Sequence, residues 1–141
     1  MNLSEHTIID VIEDRELLAL VLDLICDKEY TLARNASIFF RNISIYLSTN
    51  QLDLNYTFKS LTALEQSDDI FFVNLDSLKN LITPSNPTIL ADFMRRGLVT
   101  RYLNPVLERD FAAIHEQSMI NLNTILRHLS ESKLVQIQFS D

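Results

Sequence analysis

Apolar residues return every three or four positions along most of this chain, the period of helices that each bury one face. Ser4 is placed to cap a first helix carrying Ile8, Ile9, Val11 and Ile12 to about Glu13. Asp14 is placed to cap a second, with Leu17, Leu18, Val21, Leu22 and Ile25 on its apolar side; no glycine or proline divides the two, so they are either separate or continuous. After the polar corner CDKEY, a long helix is predicted from about Thr31 to Ser48, with Ala36, Phe39, Phe40, Ile43 and Leu47 inward. Thr49 to Asn55 reads as a loop. Helix resumes at Asn55 or Tyr56 and runs to Gln66, and Ser67 or Asp68 caps another from Asp69 to about Ile82. The IFFV run at Ile70 has strand character, but a lone strand among helices would have no partner, so it too reads as helix. Asn86 and Pro87 open a short helix that Gly97, the chain's single glycine, closes. A further helix follows from Leu98, with Pro105 set to kink or end it, and a longer one spans about Ala112 to Ser130.

Short strings recur where the three long helices end: FRNIS at Phe40, LKNLI at Leu78 and LRHLS at Leu126. Their centres, Asn42, Asn80 and His128, are separated by 38 and 48 residues. Those steps bracket the roughly 40–47 residues of armadillo and HEAT units. A rival register, shifted by 81 residues, lays TIIDV at Thr7 over TILAD at Thr88 and pairs Asn42 with Asn123. The layout of short helix, glycine corner, helix and long helix, with a Leu-x-Asn-Leu string near the end of the third, resembles the armadillo family. The resemblance implies an all-α, right-handed solenoid-like stack of about three imperfect repeats, at about 4–48, 49–85 and 86–132, in a single domain with a tail at 133–141.

In armadillo proteins that hold extended peptides, the third helices line a groove and string asparagines bond the peptide backbone. A carboxamide both donates and accepts, so it can pair with the amide of any sequence. The resemblance thus implies Asn42 and Asn80 as partner-binding residues, with Arg41 and Lys79 preceding them, and Asn123, Arg127 and His128 competing for the third position. The alternative is that these asparagines cap turns or face water. Phe39, Tyr46, Phe71 and Phe72 lie close by, but their spacing makes them core residues.

Charge narrows the choice of partner. The net charge is −7, and it lies wholly in residues 1–70, which hold 12 acidic and 5 basic residues, whereas residues 71–141 hold 7 of each. An acidic half disfavours nucleic acid and anionic membranes and favours a basic protein or peptide, or serves solubility alone. Arg95, Arg96, Arg101 and Arg109 form the one basic concentration, suited to a helix end or to an acidic partner, including a second copy. No secretory leader or membrane-length apolar run is evident, and the single cysteine, Cys26, fits a reducing cytoplasmic setting. Cys26 lies in an apolar run and is expected to be buried.

Catalytic chemistry is thinly represented. HEQSM at His115 begins like a zinc-protease motif but has Met119 where the second ligand belongs, and His6, His115 and His128 are dispersed. One glycine cannot build a phosphate-cradling loop. The sequence therefore points to a cofactor-free, non-enzymatic protein-binding adaptor. A second reading is a compact helical assembly subunit acting through an apolar face, self-associating or belonging to a longer chain, since three repeats leave apolar ends to cover.

Overall fold

Polar side chains at the corners set where the helices begin. In the computed structural model, which describes residues 10–47, 52–63, 66–97 and 116–131, every described element is an α-helix. Residues 10–12 are helical and give way to a turn, so the first two predicted helices are separate. The Asp14 carboxylate accepts from the Leu17 amide at 3.0 Å and opens α1 (Arg15–Ile25). Glu29 accepts from the amides of Thr31 and Leu32, at 3.3 and 2.9 Å, and opens α2 (Tyr30–Ser44). Asp53 does the same through the Tyr56 amide, at 3.2 Å, for α3 (Leu54–Leu61).

The next two starts differ from expectation in detail. Ser67 precedes α4 (Asp68–Leu81), but its hydroxyl donates to Asp69 at 2.7 Å rather than accepting from the helix. Asp68 and Asp69 then favour the start through the helix dipole. Asn86 stands at the cap position of α5 (Pro87–Arg95), yet its side chain reaches back to the Leu81 carbonyl at 3.5 Å. Gly97 adopts φ 71° and donates its N–H to Met94 O at 3.0 Å, the left-handed helix stop the sequence suggests. The last described helix is α6 (Glu116–Glu131). The predicted helices at Ser4 and Leu98 fall mostly or wholly outside the described residues, as do Pro105, His115 and the 133–141 tail.

Among the long helices, α4 packs between α2 and α6; among the short ones, α3 neighbours both α1 and α5; α1 also lies on α2 and α3 on α4. All six helices contribute to one continuous core, from Leu18 and Ile25 through Phe40 and Leu78 to Ile125 and Leu129. Phe58 and Phe93 meet edge to face within it, 5.4 Å between centroids, joining α3 to α5. Helix α2 ends four residues before the expected Ser48. The Ser44 hydroxyl bonds back to Arg41 O at 2.7 Å, Ile45 and Tyr46 turn outward, and Leu47 folds inward. Cys26 also departs from expectation: it caps α1 and is exposed, with its thiol 3.6 Å from Ser60 O.

Two polar clusters tie the elements together. Fully buried Asn74 donates to Gln66 Oε1 at 2.7 Å, and Gln66 Nε2 donates to Ile25 O at 2.6 Å, satisfying a carbonyl at the end of α1. Asp92, also buried, accepts from Arg95 at 2.6 Å and from Arg96 Nε, while Arg96 Nη1 donates to Asn55 at 2.7 Å and links α5 to α3. Burial alone would raise the Asp92 pKa, but the hydrogen bonds from Arg96 and Arg95 outweigh it and hold the carboxyl below its ordinary value. A depressed folded pKa gives stability that is complete above the unfolded value of about 3.9 and is lost as pH falls through the folded pKa. We expect Asp92→Asn to lose about 1 kcal/mol at neutral pH and to show a shallower loss in acid than the parent. Urea denaturation at neutral pH and at about pH 3 measures both.

Candidate interaction surface

The string residues at the ends of the long helices occupy equivalent places. Asn80 Nδ2 donates to Ser44 Oγ at 2.9 Å, and His128 Nδ1 lies 3.0 Å from Ile82 O. A carbonyl can only accept, so the His128 ring carries its proton on Nδ1. In both pairs the centre of one string reaches the residue two past the centre of the preceding string. The hydrogen bonds thus fall at the 38- and 48-residue steps and involve His128, whereas Asn123 is exposed.

Charged string residues meet on the same side. Asp76 lies 3.9 Å from Arg41 Nε and 3.5 Å from Lys79 Nζ, bridging α2 and α4. At the opposite ends of these helices Asp69 accepts from the Tyr30 hydroxyl and lies 4.0 Å from Arg34. Burial would raise the Asp69 pKa, but hydrogen bonds from Tyr30 and Ser67 lower it, and the same bond to Asp69 raises that of Tyr30. Such solvent-facing pairs contribute little to stability.

Besides Arg41, which meets Asp76, the sequence-predicted site residues divide into three places. Lys79, Asn80 and His128 line one hollow of about 430 Å³ with Ile45 and Thr83. Asn42 lies elsewhere, in a hollow of about 520 Å³ between α1 and α2, walled by Leu17, Leu20 and Leu24 from α1 and by Leu32 and Phe39 from α2. Asn123 and Arg127 are exposed on α6. Asn80 is already engaged by Ser44, whereas Asn42 has no side-chain hydrogen bond among the described residues.

The larger hollow draws on different α2 residues from those that meet α4. Helix α4 meets α2 through Asp69, Asp76 and Asn80. Stepping back 38 residues from Asp76 and Asn80 gives Ile38 and Asn42, and both line the hollow, whereas Thr31, the counterpart of Asp69, does not. Leu20 and Leu32 at its mouth are 53% and 46% exposed, too much apolar area to leave uncovered without consequence. Glu16 and Asp23, four before and three after Leu20, are exposed on the same side of α1 and give the mouth an acidic edge. Helical periodicity did not single this surface out. The available signal was α1 itself, where Leu17, Leu18, Leu20, Val21, Leu22, Leu24 and Ile25 surround the helix instead of forming one stripe.

Among the described residues, no three His, Cys, Asp or Glu side chains gather to hold a metal, and no helix is long and apolar enough to cross a membrane. No family model, curated protein or solved structure matches the chain.

The two asparagines should respond differently to truncation. Asn80→Ala breaks the bond to Ser44 and should destabilise the fold by about 1 kcal/mol. Asn42→Ala should change stability by less than about 0.5 kcal/mol, as for a surface site. Paired urea titrations give both values.

Proposed function

We propose that this chain is a protein-interaction scaffold of armadillo type, and that it receives a helix of its partner in the hollow between α1 and α2. The observation that carries the reading is the hollow itself: about 520 Å³, apolar-walled, and on the side of α2 equivalent to the side of α4 that another helix covers. The neighbour order α2–α4–α6 beside α1–α3–α5 supports a stack of three units. The partner helix carries an apolar stripe for Leu20, Leu32 and Phe39, with a basic residue beside it for the edge formed by Glu16 and Asp23.

This mode differs from an extended peptide held on a row of asparagines. Asn80 and His128 already join adjacent helices, and Asn42 stands apart from both. The assembly-subunit reading therefore merges with the adaptor reading, since in each an apolar end face does the binding. The exposed thiol of Cys26 supports work in a reducing compartment such as the cytoplasm.

A photo-crosslinking residue placed at position 32 tests the reading in cells. Crosslinks should map to one face of an amphipathic helix, and Leu20→Glu should abolish them while the far-ultraviolet dichroism stays unchanged. Crosslinks scattered over unrelated surfaces, or unaffected by Leu20→Glu, would sink it.

A further inference from the structure

We infer that the helix received by the hollow is α6 of a second copy, so that chains stack head to tail. This rests on the reading above and names its partner. The internal junction between α2 and α4 supplies the template. There Ser44 Oγ donates to Arg41 O at 2.7 Å and accepts from Asn80 at 2.9 Å. The last described helix repeats the accepting half. Ser130 Oγ donates to Arg127 O at 2.9 Å with the same Arg-x-x-Ser spacing, and no donor reaches Ser130 among the described residues. The near side repeats the donating half in Asn42, which stands 38 residues before Asn80 and whose side chain has no hydrogen bond among the described residues. One copy's Asn42 is thus the counterpart of another's Ser130.

The surroundings of the two groups match in kind. Around Ser130, α6 exposes Ile120 and Leu126, at 49% and 38%, together with Asn123 and Arg127. Around Asn42 the hollow offers Leu32, Phe39 and Leu20. Charge favours the same polarity. Head-to-head pairing would oppose two acidic halves, each of net charge −7, whereas head-to-tail pairing sets that half against one with no net charge. A heterologous contact of this kind does not close on itself, so it yields a concentration-dependent series of oligomers rather than a single dimer.

Sedimentation velocity with two exposed-site variants tests the stacking. The unmodified chain should rise above its 16.3 kDa monomer mass between micromolar and millimolar concentration. Leu32→Glu blocks the near end and Ile120→Glu the far end, and each alone should stay monomeric with unchanged circular dichroism. Mixed, they should form a one-to-one dimer, because each retains the end the other lacks. Asn42→Ala and Ser130→Ala should each weaken association roughly fivefold, and a chain carrying both should be no weaker than either. A chain that stays monomeric at millimolar concentration, or variants that fail to pair when mixed, overturns the proposal. If position 32 nonetheless crosslinks to a helix of a different protein, the interaction-scaffold reading survives alone. If it crosslinks to nothing specific, both fall.

Discussion

Covering α4 on more than one side is the requirement from which the rest of this fold follows. Ile70, Phe71, Phe72, Leu75, Leu78 and Leu81 are all buried, and they do not fit on a single stripe. Phe71 and Phe72 are adjacent in sequence, so a helix points them about 100° apart, and each needs its own cover. Helices α2, α3 and α6 provide it. The two rings meet edge to face at 5.6 Å, adding to the apolar burial. With α4 enclosed, the polar groups along its margins have little freedom, and Asp69, Asp76 and Asn80 align α2 as Ile82 O aligns α6.

Much of this arrangement was legible because capping chemistry and period agree. Asp14 and Gly97 each mark a boundary by a mechanism local to a few residues, and IFFV could be assigned to helix for want of a strand partner. The misses arose where a side chain had a choice of acceptors. Ser44 ends α2 early because its hydroxyl takes the Arg41 carbonyl, and Asn86 turns to Leu81 rather than to its own helix. Cys26 sits in an apolar run but at the helix end, where position rather than composition sets exposure.

The interaction surface was harder to read for a related reason. The recurring strings were visible, but a string shows where equivalent residues lie and not whether a neighbour occupies them. Asn42 and Asn80 are indistinguishable in sequence context, yet one joins two helices and the other has no bond among the described residues. Only the order of helices separates them, because Asn80 follows a long helix within the described core and Asn42 belongs to the first. The apolar surplus of α1 carries the same message in another form, since Leu20 stays exposed after the helix has buried Leu18, Val21, Leu22 and Ile25.

The succession of α2, α4 and α6 also bears on how the molecule comes apart. Among the described elements, α6 makes its main contact with α4 alone, whereas α4 holds α2 and α3 as well. Losing α6 would uncover one flank of α4 while the joints through Asn80, Asp76 and Asp69 stayed intact. Losing α4 would divide the core in two. Such nearest-neighbour stability makes unravelling directional, with amide protection falling from the middle helix towards the last. Whatever seats against α6 would then act as a clasp on a helix held mainly by one described neighbour.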